Sequence, residues 1–131
     1  MKIAVTAAAP DINADIDPRF GRCGYFVIAD SETMDVDTME NASAAAGGGA
    51  GIATAQTIAG KGVEVVLTGN CGPNAYQALS AAGITVVTGV SGKVSDAIED
   101  YKSGKLKVSS QPSVAQHFGG GMGRGRGMGR R

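Results

Sequence analysis

From residue 63 to residue 101 the chain passes twice from a short apolar run into a segment whose apolar residues recur at helical spacing. Two strands joined through a helix in this way lie parallel, and the crossover is right-handed. The first run, 63–68 (Val-Glu-Val-Val-Leu-Thr), is mostly apolar and suits a central strand covered on both faces. Pro73 sits where a first helical turn accepts it, and Ala75, Ala78, Leu79 and Ala82 follow at i, i+3, i+4 and i+7 before Gly83 closes the segment. Residues 84–88 form a further strand. Val94, Ala97, Ile98 and Tyr101 then repeat the helical spacing and end near Gly104.

The first half of the chain reads differently. Residues 2–7 (Lys-Ile-Ala-Val-Thr-Ala) are a strand, 8–24 a long loop rich in Asp, Pro and Gly, and 25–30 (Tyr-Phe-Val-Ile-Ala-Asp) a second strand. Residues 34–39 alternate apolar and polar, the period of a half-exposed strand. Only 31–33 separate the two, so they form a hairpin. After a small, glycine-rich stretch at 41–51, Ile52, Ala55, Ile58 and Ala59 lie roughly along one helical face up to Gly60. The resulting order is β-β-β-α-β-α-β-α. Its simplest solution is an α/β fold whose mixed five-stranded sheet has order 3-2-1-4-5, with strand 2 antiparallel to the rest. The gap between strands 1 and 4 is then a topological switch point, where open α/β sheets receive ligands. Loops 8–24, 41–51, 69–74 and 89–93 open on that edge together with three helix N-termini, which favour anions.

Size and composition narrow the setting. A chain of 131 residues fits one domain, and with 5% aromatics and no Trp its core must rest on Ala, Val and Ile, which brings helices close to the sheet. Two cysteines 48 positions apart make no disulfide framework. Met1-Lys2 runs straight into a strand without signal-peptide character, and no apolar run approaches the roughly 20 residues that span a bilayer. A reducing cytoplasm is the expected setting, with free or metal-bound thiols and no membrane partner. Residues 1–118 carry eight Lys/Arg against twelve Asp/Glu, a net −4, whereas the last thirteen carry four Arg and no acid, a net +4. An acidic body of this kind is not a nucleic-acid binder. From Gly119 onward the chain is seven Gly, four Arg and two Met, too little apolar surface to fold. The expected organisation is a domain over 1–108 and a flexible Gly/Arg/Met-rich tail over 109–131, the tail being a candidate contact for a protein partner.

The chemistry concentrates in two segments, 17–23 (Asp-Pro-Arg-Phe-Gly-Arg-Cys) and 69–75 (Gly-Asn-Cys-Gly-Pro-Asn-Ala), each following an apolar strand. Cys23 and Cys71 are the candidate metal ligands. Two thiolates are too few for a closed structural site, although a cluster bringing its own sulfide needs fewer; the other reading is two small buried residues. Arg19 and Arg22 flank Phe20-Gly21, and an arginine fork suits an oxyanion or thioanion. Arg19 can equally pair with Asp15 or Asp17, and the two roles are compatible. The 47–51 glycine run, with Gly49 and Gly51 as candidate anion contacts, lacks the Lys-Ser/Thr of a P-loop and reads equally as a linker. The turn Gly72-Pro73-Asn74 is better specified, since Pro at the first turn leaves nearby amides available. His117 is the sole histidine and Met122 and Met128 lie in the tail, so no histidine-based metal site forms within one chain. Strand 2–7 carries no acid and 63–68 only Glu64, which argues against a two-metal nuclease. No nucleophile–base pair is present, and no enzymatic turnover is expected.

Asp17-x-Arg19-Phe20-Gly21-Arg22 with Phe26, Asn41, Gly49-Ala50-Gly51, 65–69 (Val-Val-Leu-Thr-Gly), 72–75 (Gly-Pro-Asn-Ala), 82–84 (Ala-Gly-Ile), Ala97-Ile98 and Tyr101-x-x-Gly104-x-Leu106 form a pattern over about residues 1–107. In that pattern the chain resembles the dinitrogenase iron–molybdenum cofactor biosynthesis family. The family includes the carrier NifX, the C-terminal domain of NifB and small stand-alone proteins of anaerobes such as the molybdenum–copper orange proteins. The resemblance implies a ribonuclease H-like fold and non-catalytic binding or carriage of an anionic metal–sulfur cluster (Mo, Fe or Cu with sulfide) or its precursor. Nitrogenase-pathway members often carry His-Phe-Gly where this chain has Arg19-Phe20-Gly21. Charge balance by Arg19 and Arg22 therefore replaces imidazole ligation as the expected mode. The alternative is a regulatory or protein-interaction module that works through the basic tail with no cluster bound.

Overall fold

The computed structural model describes residues 1–42, 50–106 and 108. Along them run β1 (Lys2–Ala7), β2 (Tyr25–Asp30), β3 (Val36–Glu40), α1 (Ala50–Gly60), β4 (Val65–Leu67), α2 (Pro73–Ala81), β5 (Thr85–Val87) and α3 (Val94–Lys102). The sheet order is β3-β2-β1-β4-β5, the order deduced from the alternation of elements. β1 pairs in parallel with β4 (Ala4 opposite Val66) and β4 with β5. β2 runs antiparallel to both β1 and β3.

Successive side chains alternate between the two faces of each strand, and in the central strands both faces are covered. Ala4, Phe26, Ile28, Val66 and Val86 join Ala55, Ile58, Ala75 and Leu79 in the layer under α1 and α2. Ile3, Val5, Ala7, Val27, Val65, Leu67 and Val87 face the other way, toward Val94, Ala97 and Ile98 of α3 and Ile16 of the long loop. The small residues allow close approach. A Cβ on Gly51 would stand 3.0 Å from the Ala75 Cβ, so the starts of α1 and α2 nearly touch. Gly83, at φ 79°, turns the chain out of α2 while the Ile84 N–H returns to the Leu79 carbonyl at 2.9 Å.

Four boundaries depart from the sequence expectation. The third strand starts at Val36 rather than 34. Met34 instead takes a left-handed φ of 64° and donates its N–H to Asp30 O at 2.8 Å, closing the hairpin turn. Ile52 is 38% exposed and off the buried face; α1 buries Thr54, Ala55 and Ile58. Ala82 is the C-cap of α2 and exposed rather than packed. β4 and β5 are shorter than expected, yet Glu64 N–H bonds Lys2 O and Thr68 N–H bonds Val87 O just beyond the assigned ends. Among the described residues no helix is long and apolar enough to cross a membrane. The tail over 109–131, with His117, Met122 and Met128, lies outside the described residues.

Candidate functional site

Because β1, β4 and β5 are parallel, the loops after them open on one edge of the sheet, and the loop into β2 returns there. Residues 8–24 organise that edge in two halves. The first half docks over α3. Ile16 N–H donates to Gly92 O (2.8 Å), Val94 N–H to Ala14 O (3.0 Å) and Ser95 N–H to Ile12 O (2.9 Å). Lys93 Nζ meets Asp15 Oδ1 at 2.8 Å. The loop's own carbonyls thus occupy amides at the start of α3, so this N-terminus is not presented to an anion, contrary to the expectation that all three would be.

The second half crosses to the β4–α2 loop. Asn70 N–H donates to Pro18 O at 2.7 Å and Phe20 N–H to Asn70 O at 3.2 Å, a parallel bridge between residues 19 and 70. It lies two residues before Gly72, the N-cap of α2. That cap is extended (φ −68°, ψ 170°) and makes no side-chain hydrogen bond. Tyr76 N–H reaches Gly72 O at 2.9 Å. The N–H groups of Asn74 and Ala75 precede the first acceptor of the helix and have no place in its ladder. Gly72 has open space where a Cβ would stand, and Pro73 and Asn74 are exposed. The start of α2 thus carries no side-chain cap. Gly51 meets Ala75 in a packing contact, and Gly49 lies outside the described residues.

Arg19 projects from the bridged segment with a side chain 63% exposed, against 10% for its neighbour Asp17. Asp17 accepts from the Arg19 backbone N–H, Nε and Nη2 at 3.0, 3.2 and 3.3 Å, so the local pairing is realised. The hydrogen bond and the charge of Asp17 both push the Arg19 guanidinium pKa above its ordinary value. Arg22 is exposed and Gly21 half-buried, whereas Phe20 is buried edge-to-face on Phe26, ring centroids 5.6 Å apart.

Both sulfurs lie inside. Cys23 and Cys71 are fully buried in the same cluster as Phe20, and neither is in a disulfide. Cys23 Sγ donates to Phe20 O at 3.3 Å. Burial first, then the Asp17 charge, push the Cys23 thiol up to about 12; burial pushes Cys71 up to about 11. Among the described residues, no three His, Cys, Asp or Glu side chains are grouped to hold a metal ion.

These thiol shifts carry a stability signature. Below pH 9 both states keep the proton; above it the unfolded chain loses it while the native chain does not. Stability should then fall as pH rises, by about 1.4 kcal/mol per pH unit for each thiol, until the native thiols titrate. Urea unfolding at pH 8 and 10.5 checks this. Cys71→Ala should flatten the decline measurably, and an unchanged slope would contradict it.

Two polar clamps hold the edge. Asn41 Nδ2 donates to Cys23 O at 2.9 Å and Gly21 O at 3.2 Å, while its Oδ1 accepts from Thr54 Oγ1 of α1 at 3.2 Å. Thr6 Oγ1 donates to Asp17 O at 2.6 Å and lies 3.0 Å from Thr68 Oγ1. Neither Asn41 nor Asp17 stood among the expected site residues. The signal for Asp17 was its spacing, two residues before an arginine and one before a proline, as in an Asx turn.

Comparison with known proteins agrees with the architecture. The family model described as dinitrogenase iron-molybdenum cofactor matches residues 1–104. The apo orange protein of Desulfovibrio gigas is 42% identical, with 86% of this chain and 96% of that one covered and a TM-score of 0.84. A Thermotoga protein solved by NMR, proposed to be a NifB protein, is 32% identical over 88% of this chain and 98% of that one, TM-score 0.76. An uncharacterised protein of Methanocaldococcus jannaschii is 32% identical over 110 residues, 82% of this chain and 90% of the relative.

Proposed function

The chain belongs to the dinitrogenase iron–molybdenum cofactor family, and from that premise we propose that it binds an anionic metal–sulfur cluster, or its precursor, and carries it without turnover. The observation that supports this most is one juxtaposition. The bridge between residues 19 and 70 sets an exposed arginine segment beside the uncapped start of α2. Arg19 and Arg22 balance the charge of the cargo, Gly21 and Phe20 fix the segment that carries them, and the amides after Gly72 and Pro73 face the anion. A guanidinium is weakly hydrated and planar, which suits a large sulfur-coated ion better than an ammonium would. Cys23 and Cys71 enter this reading as contacts made after a loop movement, because both are buried and protonated at neutral pH. The ribonuclease H-like label and a cytoplasmic setting belong to the same proposal.

The test is anaerobic purification followed by reconstitution with tetrathiomolybdate, iron or copper, and sulfide. Wild-type protein should retain stoichiometric metal with charge-transfer bands in the visible. Arg19→Ala combined with Arg22→Ala should weaken retention about tenfold or more, the effect of two like charges at partly screened contact distance. Equal retention by the double variant would remove the electrostatic mode, and a colourless, metal-free wild type would remove the function.

A further inference from the structure

Asp17 is the one carboxylate buried at this edge, 8% exposed, and its geometry is that of a clamp. Its backbone is fixed on both sides, the N–H donating to Thr6 O at 3.0 Å and the carbonyl accepting from Thr6 Oγ1 at 2.6 Å. Its two carboxylate oxygens take the Nε and Nη2 of Arg19. Of the five N–H bonds of a guanidinium, two are thereby engaged and three remain for a ligand. The donors stay available while the local field of the guanidinium is weakened by its partner.

That combination discriminates between anions of equal charge. A small oxyanion is strongly hydrated, so leaving water costs it more and its binding depends more steeply on nearby uncompensated charge. A thioanion spreads the same charge over larger, softer atoms, sheds water more readily and depends less on the local field. We infer that Asp17 is a specificity-determining residue which, by fixing Arg19 and offsetting part of its charge, biases the site toward thioanions and against oxyanions. This rests on the cluster-binding reading above and goes beyond it in assigning the discrimination to a residue that touches no cargo.

Tetrathiomolybdate and molybdate share metal, charge and tetrahedral shape, and differ only in sulfur against oxygen. Each is titrated separately into wild type, Asp17→Asn, Arg19→Gln and the double variant at low ionic strength. Asparagine keeps the Oδ1 acceptor for the Arg19 backbone N–H and Nε, gives up the contact to Nη2 and removes the charge. Asp17→Asn should bind molybdate about tenfold more tightly and tetrathiomolybdate only about two- to threefold, because the smaller ion sits closer to the released charge. The double variant has a neutral pair again and should return the preference toward wild type. Arg19→Gln leaves Asp17 uncompensated and should lose molybdate binding disproportionately, a readout that stands even if Asp17→Asn folds poorly. Unchanged selectivity in these variants, with wild type binding tetrathiomolybdate, overturns the inference alone. A wild type that binds no tetrathiomolybdate overturns the cluster-binding reading with it.

Discussion

Phe20→Ala is expected to remove about 3–5 kcal/mol of folding stability, the usual cost of emptying a buried aromatic site, and to open both thiols to alkylation at neutral pH. Phe20 is the loop residue that enters the core under α1 and α2, 2% exposed and packed on Phe26. Cys23 and Cys71 share that cluster. Its backbone is held at both ends, N–H to Asn70 and carbonyl to Cys23 Sγ, so the loop cannot simply collapse into the vacated volume. For a domain whose total stability is on the order of 5–15 kcal/mol, this is a large fraction. Phe20→Leu refills most of the space and should cost less than about 2 kcal/mol while keeping the thiols protected. Urea unfolding and the rate of iodoacetamide labelling measure the two effects. An alanine variant that loses under about 1 kcal/mol, or labels as slowly as wild type, would show that Phe20 is not the plug of this core.

Which parts of this molecule were legible in the sequence follows from how local their causes are. β1 and β2 coincide with the expected 2–7 and 25–30 because each is a nearly continuous apolar run, β2 set between Gly24 and Ser31 and β1 running into the Asp- and Pro-containing loop. The sheet order followed from chain connectivity and handedness alone. α1 was located and Ala55, Ile58 and Ala59 lie on its packed face as expected, but Ile52 does not. An Ala-rich helix has little contrast between its faces, and the choice between Ile52 and Thr54 as the buried residue falls to Gly51 packing on Ala75. Met34 was read as strand because alternation cannot see a left-handed turn closed by a residue that rarely makes one.

At the site, the convergence of the two loops and the exposed arginines was legible, since both loops follow strands that end on one edge. The occupied amides of α3 were not. They depend on carbonyls of Ile12 and Ala14 supplied by a loop with no periodic pattern. Nor could sequence decide between burial and ligation for the cysteines. That distinction lies in Phe20 and Asn41, the first accepting from the Cys23 thiol and the second donating to the Cys23 carbonyl. The edge thus carries its arginines on the surface and its sulfurs in the buried cluster that Phe20 also enters.

Gly69→Ala should disconnect that edge. A Cβ at position 69 would stand 2.8 Å from Pro18 Cα and 2.9 Å from Pro18 Cβ and O, closer than real Cβ contacts, and most of what it meets is backbone. The strand side cannot retreat, because Gly89 N–H holds Gly69 O at 2.8 Å and Val90 N–H holds Thr68 O at 3.1 Å. The 18–20 segment must therefore move, weakening the hydrogen bonds between Pro18 O and Asn70 N–H and between Phe20 N–H and Asn70 O. Overpacking of this kind costs about 1–3 kcal/mol, with about 1 kcal/mol more for each hydrogen bond lost. Cargo retention should drop with it, since Arg19 leaves the start of α2. Gly72→Ala is the control for folding stability: its Cβ points into open space and its φ of −68° suits any residue, so folding feels only the poorer N-cap, under about 1 kcal/mol. Denaturant unfolding and reconstitution of the two variants side by side decide the matter. Equal losses of stability at 69 and 72 would mean that the contact between Gly69 and Pro18 does not hold the arginine segment in place.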